Sequence, residues 1–139
     1  MHVWEFLYII GASKKLKVMC LYSTTGKKYA ERDIVCYKAL GYKNGVYYTP
    51  CQFKIVKDAV LAGRRLLRGG LFRKKETIDD ITVISGGYIH VATNLEWLRF
   101  HFQGCRHFKC IIPKGTEYWV SKGGDEMAAR KIRFVERVK

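Results

Sequence analysis

Three side chains of the types used in proton transfer stand in short apolar segments of the chain. His90 follows a glycine pair, and its pKa near neutrality suits a general base or a phosphate hydrogen-bond donor. Glu117 begins a predicted strand, where a carboxylate can orient a ribose or accept a proton. Tyr37, in the first predicted strand, becomes a catalytic candidate if it shares a face with His90. The commoner interpretations are a half-buried histidine, a charged edge residue and an ordinary strand tyrosine.

The sharpest local feature is a basic run without acidic residues, from Gly63 to Lys75. Its cations are Arg64, Arg65, Arg68, Arg73, Lys74 and Lys75. Because arginine donates two hydrogen bonds in a fork and glycine lets backbone amides approach, the run suits phosphate contact. Phe72, within the run, suits stacking on an unpaired base. The alternative interpretation is a solvated surface with a mobile loop.

A second basic concentration lies near the C terminus. Its members are Arg130, Lys131, Arg133, Arg137 and Lys139. The 139 residues include 26 Lys and Arg against 12 Asp and Glu, which gives a formal net charge of +14. Such a field raises the local concentration of any polyanion, but it does not separate DNA, RNA, nucleotides, anionic lipids and acidic proteins.

Composition excludes several classes of protein. The apolar fraction of 48% is too high for wholesale disorder. No apolar run approaches the roughly 18 residues of a membrane-spanning helix, so we expect no membrane partner. No helix-turn-helix, zinc-finger or RNP-like motif is present, and neither is a P-loop or a Gly-x-Ser-x-Gly nucleophile motif.

The cysteines predict neither a metal site nor a disulfide framework. The chain has five of them, Cys20, Cys36, Cys51, Cys105 and Cys110, and no pair has C-x-x-C spacing. Cys105 and Cys110 lie near His101 and His107, but one loose cluster lacks the tight spacing of a zinc site. We therefore expect no metal and no cofactor, and unpaired thiols that suit a reducing cytoplasm.

The pattern of the first half predicts a hairpin followed by a helix. A strand is predicted over 33–40 and a returning strand over 46–53. Asn44 and Gly45 form the turn between them, since both tolerate positive φ. Residues 54–68 carry an apolar stripe close to helical periodicity and predict a helix, with a break at Gly63 as an option. Residues 71–80 are predicted to form a loop.

The second half predicts further short strands around one helix. The helix spans 93–103, where Thr93 and Glu96 match a capping box. The strands are predicted over 81–84, 88–91, 107–112, 117–121 and 130–138. These elements predict an α+β fold: a single small domain with a mostly antiparallel sheet of about six short strands and two helices.

Two interpretations fit residues 1–18. Val3, Phe6, Leu7 and Ile10 recur at helical spacing and could form a short docking helix on the domain of residues 19–139. Alternatively, the segment is an extension ahead of a true start at Met19. The lysines of this segment follow its apolar stretch, which is the reverse of a secretory signal, so we do not expect secretion.

Several segments resemble a family of small proteins of unassigned activity from anaerobic gut bacteria, their prophages and phages. These segments are Met19-Cys20-Leu21, Asp33-Ile34-Val35-Cys36-Tyr37-Lys38, Tyr48-Thr49-Pro50, Gly87-Tyr88-Ile89-His90-Val91, Cys110 to Tyr118 (CIIPKGTEY) and Arg130 to Val135 (RKIRFV). The resemblance covers the chain from Met19 onward and implies a phage or mobile-element setting. A fold-level likeness to ADP-ribosyltransferase-like domains also exists, although Cys36-Tyr37-Lys38 stands where those domains carry a histidine or arginine.

The function expected from these features is binding of a phosphate-rich ligand, either nucleic acid or a nucleotide signal used in host defence. The expected binding residues are Arg64, Arg65, Arg68, Arg73, Lys74, Lys75, Arg130, Lys131 and Arg133. One alternative is an ADP-ribosyltransferase-like enzyme that uses His90, Tyr37 and Glu117 in one pocket. Another is a protein that inhibits a host protein by covering its acidic surface.

Overall fold

Thirteen strands and two helices form the described part of the chain, which comprises residues 21–23, 25–50 and 54–139 of a computed structural model. The strands are β1 (Leu21–Ser23), β2 (Lys28–Tyr29), β3 (Ile34–Lys43), β4 (Val46–Tyr48), β5 (Ile55–Val56), β6 (Leu67–Arg68), β7 (Lys75–Ile78), β8 (Ile81–Ile84), β9 (Ile89–Ala92), β10 (Arg106–Ile112), β11 (Glu117–Val120), β12 (Glu126–Ala129) and β13 (Lys131–Val138). The helices are α1 (Asp58–Leu61) and α2 (Leu95–His101). The segment 1–18, Met19, Cys20, Cys51 and the end of the strand predicted over 46–53 lie outside the described residues.

All strand pairs described are antiparallel, and they form two sheets. The smaller sheet has the order β1-β8-β7. The larger one has ten strands in the order β2-β11-β12-β9-β3-β10-β13-β6, with β4 and β5 added beside β3. The predicted α+β class, the antiparallel sheet and the two helices are confirmed, but the predicted number of about six strands is wrong. Strands of two to four residues are too short to show an alternating pattern in the sequence.

The larger sheet curls, so that β6 at one end of its strand order comes close to β11 near the other end. The backbone of Arg130, between β12 and β13, makes this junction. Its N–H donates to the Glu117 carbonyl at 3.1 Å, and its carbonyl accepts from the Gly69 N–H at 2.7 Å. Glu117 begins β11 and Gly69 follows β6, so segments that are distant in the sequence become neighbours.

Alternation divides the larger sheet into two faces. The core face carries Cys36, Cys110, Ile132 and Phe134, which belong to the main buried cluster. Residues paired across neighbouring strands lie on the same face of a sheet. The pairings across the larger sheet, from β6 to β11, therefore place a second set of side chains on the face opposite the core. We call this face the outer face. This set includes Tyr37, Ala92, His90, Trp119, Glu117, Arg68, Lys131 and Arg133. Helix α2 covers one part of the outer face. The smaller sheet covers another part through Leu21 and Ile84, together with Tyr88 from the β8–β9 connection.

The first hairpin forms as its sequence predicts. Strand β3 pairs with β4 from Gly41 opposite Tyr48 to Lys43 opposite Val46, which leaves a loop of two residues. These residues, Asn44 and Gly45, have φ values of 51° and 79°. Positive φ at both positions matches the right-handed twist of the flanking strands, so local chemistry alone fixes this turn.

The helix predicted over 54–68 is wrong for most of its length. Only Asp58–Leu61 is helical, and Gly63 follows with a φ of 73°. A Cβ at Gly63 would lie 2.9 Å from the Phe134 carbonyl oxygen, so the chain turns there against β13. The apolar residues at the two ends of the stripe are buried, but by strand pairing and not by a helix. Val56 lies in β5, and Leu67 of β6 pairs with Ile132 of β13.

The loop predicted over 71–80 is also wrong in its second half. Residues Lys75–Ile78 form β7, which pairs with β8 across a turn at Asp79 and Asp80. All four residues of β7 are exposed, so neither face of the strand is buried and the sequence shows no alternation of apolar and polar residues. Backbone pairing with β8 holds the strand instead. Strand β12 was likewise not predicted, because Glu126–Ala129 reads as weakly β-forming when taken alone.

Helix α2 begins with a different cap from the predicted one. The Asn94 side chain accepts hydrogen bonds from the amides of Glu96 and Trp97 at 2.8 and 3.1 Å. The Thr93 hydroxyl instead donates to the Gly124 carbonyl at 2.8 Å, so the predicted capping box is wrong. Neither helix of the described residues is long and apolar enough to cross a membrane.

Candidate functional site

Four arginines line one open groove at the β6 edge of the larger sheet. Arg64, Arg65, Arg68 and Arg133 surround it together with Gly63 and Leu66, and its volume is about 430 Å³. Of the residues that the structure describes, no carboxylate lines it. We call this feature the arginine groove.

Helix α1 and two paired strands position these side chains. After α1, the amides of Arg64 and Arg65 donate to the Ala59 carbonyl at 3.0 and 3.2 Å, which turns this segment toward β6. Arg68 lies directly opposite Lys131 in the pairing of β6 with β13. Arg133 is two residues further along β13 and therefore points to the same side as Lys131. Arg64, Arg65 and Arg68 are exposed, whereas Lys131 and Arg133 are half-buried.

The positive charge of the groove is not compensated by any carboxylate of the described residues. Among the described residues, the guanidinium groups of Arg64, Arg65, Arg68 and Arg133 have neither a carboxylate partner nor a hydrogen bond. Like charges directly opposite each other in a sheet are destabilising, and Arg68 opposite Lys131 is such a pair. A surface built in this way carries an unfavourable self-energy that an anionic ligand relieves.

Glu117 is the centre of a separate, buried cluster. Its carboxylate accepts hydrogen bonds from the Tyr88 hydroxyl at 2.5 Å and from the Trp119 indole at 3.4 Å. Arg73 completes the cluster with an ion pair at 3.2 Å. Burial raises the pKa of Glu117, but the hydrogen bonds from Tyr88 and Trp119 and the charge of Arg73 outweigh it, and the pKa falls below 4.5. The carboxylate is therefore ionised at neutral pH, and its donors are all protein groups.

Lys75 of the basic run and Arg130 of the C-terminal concentration lie beside the rings of this cluster. The Lys75 ammonium is 5.5 Å from the centre of the Trp119 ring, and the Arg130 guanidinium is 5.4 Å from the centre of the Tyr88 ring. Arg130 also donates to the Gly70 carbonyl at 2.9 Å. Lys74 is exposed on the same loop. The structure thus divides the predicted binding residues: Arg64, Arg65, Arg68, Lys131 and Arg133 form one group, while Arg73, Lys75 and Arg130 hold the loop against Glu117.

His90 lines a small cavity with two groups that the sequence did not single out, Lys38 and Glu126. The cavity volume is about 40 Å³, which holds a few water molecules and is too small for a nucleotide. Burial lowers the pKa of His90 to about 4, and the charge of Lys38 adds to this effect, so the imidazole is neutral at physiological pH. Burial raises the pKa of Glu126 to about 7, with a further contribution from Asp125.

Lys38 is a buried cation on the core face. Its ammonium donates to the His90 carbonyl at 2.8 Å, and the residue is 7% exposed. The sequence did contain a signal for it, because Cys36, Lys38 and Leu40 alternate onto one face whose other members are apolar. Alternation in β11 likewise places Trp119 on the same face as Glu117. Nothing comparable in the sequence marks Tyr88 as a partner of Glu117, since that contact depends on the pairing of β9, β12 and β11.

Tyr37, His90 and Glu117 share the outer face but not one site. Tyr37 packs beside Ala39, Ala92 and helix α2. His90 lines the small cavity, and neither Tyr37 nor Glu117 is among the residues that line it. The arrangement therefore gives no support to a catalytic centre made from these three residues.

The thiols of Cys36 and Cys110 are inert. These residues are cross-strand partners, both fully buried and not linked by a disulfide, and burial raises the pKa of Cys36 to about 12. A thiol that stays protonated is neither a nucleophile nor a metal ligand. Within ranges 21–23, 25–50 and 54–139, no group of His, Cys, Asp and Glu side chains is placed to hold a metal ion.

Comparison of the chain with protein-family models, curated proteins and solved structures gave no match.

Proposed function

We propose that this protein binds a phosphate-rich ligand, either a nucleic acid or a nucleotide, in the arginine groove. One observation carries the proposal: Arg64, Arg65, Arg68 and Arg133 line one concave surface to which the described part of the chain contributes no carboxylate. Charge that is merely spread for solubility would be interspersed with acidic residues. Concentrated guanidinium groups instead match the geometry of phosphate, because two N–H groups of one guanidinium donate in parallel to two phosphate oxygens.

The resemblance to proteins of phages and their hosts supports a biological setting for such binding. A phage-borne protein of the cytoplasm that captures a nucleotide signal, or covers a nucleic acid, would act in counter-defence. Binding is favoured over the enzymatic alternative, because Tyr37, His90 and Glu117 line no common cavity. An acidic surface of a host protein would also bind these arginines. Binding tests with phosphate ligands therefore have to distinguish phosphate recognition from binding to a host protein.

The proposal is tested by measuring equilibrium binding at low salt to a single-stranded oligonucleotide, a duplex and cyclic nucleotides. We expect the wild-type protein to bind at least one of them. The triple variant Arg64→Gln, Arg65→Gln, Arg68→Gln should lose most of this affinity. These side chains are exposed, so the variant should retain the fold.

A charge-matched control separates the groove from net charge. Lys43, Lys114 and Lys122 are exposed on other loops and strands, and changing all three to Gln removes the same charge. We expect this control to bind nearly as the wild type does. Undetectable binding of every phosphate ligand at low salt, or equal losses in both triple variants, would show that the groove is not a phosphate site.

A further inference from the structure

Two large apolar side chains stand almost entirely in solvent on the loop between β6 and β7. Leu71 is 92% exposed and Phe72 is 89% exposed, more than any other large apolar residue of the described chain. Single exposed apolar residues are ordinary, but two adjacent ones between arginines and lysines form a compact amphipathic tip. We call Leu71 and Phe72 the loop tip.

The backbone on both sides of the loop tip is firmly held. On the β6 side, Gly69 and Gly70 are bonded to the carbonyl and the side chain of Arg130. On the β7 side, the Lys74 amide donates to the Gly86 carbonyl at 2.8 Å, and Arg73 is paired with Glu117.

The loop also packs closely on a glycine of the β8–β9 connection. A Cβ at Gly87, whose φ is 81°, would lie 2.3 Å from the Phe72 carbonyl oxygen. Only glycine permits this approach. The tip is therefore presented on a fixed base, which lowers the ordering cost of a contact made there.

The loop tip is close to the arginine groove along the chain. Arg68 lines the groove, and four residues further on the chain reaches Phe72. A fully extended segment of this length spans at most about 14 Å. Phe72 therefore lies within roughly four base steps of Arg68, at about 3.4 Å per step in a stacked strand.

We infer that the ligand is a single-stranded nucleic acid, with phosphates in the arginine groove and one base stacked on Phe72. The inference rests on the function proposed above and narrows its ligand class. An aromatic ring stacks on any unpaired base but finds no free base face along a duplex. A strand enters a concave groove, whereas a lipid bilayer presents a flat surface that the groove does not complement.

The neighbouring residue supplies a matched control. Leu71 is as exposed as Phe72 but has no ring, so it cannot stack. We expect Phe72→Ala to weaken binding of a mixed-sequence single-stranded oligonucleotide by about 5- to 150-fold. We expect Leu71→Ala to leave that affinity unchanged, Phe72→Trp to preserve it, and all three variants to bind the duplex as the wild type does. Quenching of a 2-aminopurine base in the oligonucleotide should require an aromatic residue at position 72.

The outcomes separate this inference from the function on which it rests. If the wild type binds the oligonucleotide and Phe72→Ala binds equally well, the inference is overturned while the groove stands. Equal losses in Leu71→Ala and Phe72→Ala would overturn stacking in favour of a general apolar contact. Binding to phosphatidylserine vesicles that needs both side chains, with oligonucleotide binding unaffected, would assign the tip to a membrane surface. No binding by the wild type would overturn both proposals.

Discussion

At the scale of single residues, Glu117 shows how a candidate catalytic group can be a structural one. Its carboxylate is 7% exposed and is saturated by Tyr88, Trp119 and Arg73. The sequence offered Glu117 as a catalytic candidate, with a charged edge residue as the commoner interpretation. Two of its partners come from distant segments: Tyr88 precedes β9, and Arg73 lies in the loop before β7. No local pattern in the sequence encodes that meeting.

We expect Glu117→Gln to lower the free energy of unfolding at pH 7 by about 1–3 kcal/mol, since a neutral amide replaces a buried acceptor of several bonds. The folded-state pKa of Glu117 is lowered, so its stabilisation is complete above pH 4.5 and is lost as the pH falls through the folded pKa. Urea unfolding of wild type and variant at pH 7 and below pH 4 measures this difference. An equal difference at both values, or an effect no larger than that of the exposed Glu31→Gln, would contradict the assignment.

Glu126 predicts a pH dependence of the opposite sign. Burial raises its pKa from 4.5 to about 7, so the unfolded chain releases this proton more readily than the folded one. Its ionisation therefore destabilises the fold progressively between pH 4.5 and 7, and the penalty is complete above pH 7.

We accordingly expect Glu126→Gln to be more stable than the wild type at pH 8, and to lose this advantage at pH 4.5. Thermal unfolding across that range gives the comparison, with Glu31→Gln as the exposed control. A constant difference between Glu126→Gln and wild type over the range would show that Glu126 ionises normally in the folded protein.

At the scale of elements, the sequence predicts secondary structure correctly where local backbone preferences determine it. The Asn44-Gly45 turn and strand β3 follow from backbone preferences and are found as expected. The secondary-structure prediction fails where pairing with a strand distant in the sequence determines the conformation. The stripe over 54–68 looks helical, but its last apolar residue, Leu67, is buried by pairing with β13. Strand β7 has no buried residue at all, so only its pairing with β8 defines it.

The start of helix α2 gives a test at this scale. Asn94→Ala removes the acceptor for the Glu96 and Trp97 amides, and we expect it to cost about 1 kcal/mol. Hydrogen exchange at these two amides should become faster in Asn94→Ala. Thr93→Val, which would break the capping box read from the sequence, should leave them protected. Faster exchange in Thr93→Val but not in Asn94→Ala would show that Thr93 caps the helix, as the sequence predicted.

At the scale of the whole molecule, the fold divides the cations of the basic run between two sites. The sequence presented Gly63 to Lys75 as one basic run, whereas the structure places its cations in two groups. Gly69 and Gly70 let the chain leave β6 and cross to Glu117, where Arg73 becomes neutralised. Arg64, Arg65 and Arg68 stay behind and are joined by Lys131 and Arg133 from the C-terminal strand.

This division gives the central claim a quantitative form. Each phosphate contact contributes about 0.7 to the slope of the logarithm of the single-strand binding constant against the logarithm of salt concentration. Removing groove arginines must therefore flatten the slope as well as weaken the binding. Cations that act only through the general field leave the number of contacts, and hence the slope, nearly unchanged.

The most direct measurement is this slope for the wild type, the Arg64, Arg65, Arg68 triple Gln variant and the Lys43, Lys114, Lys122 triple Gln control. We predict that the groove variant flattens the slope by about two, while the control keeps the wild-type slope. Identical slopes for the two variants would contradict a phosphate site in the arginine groove.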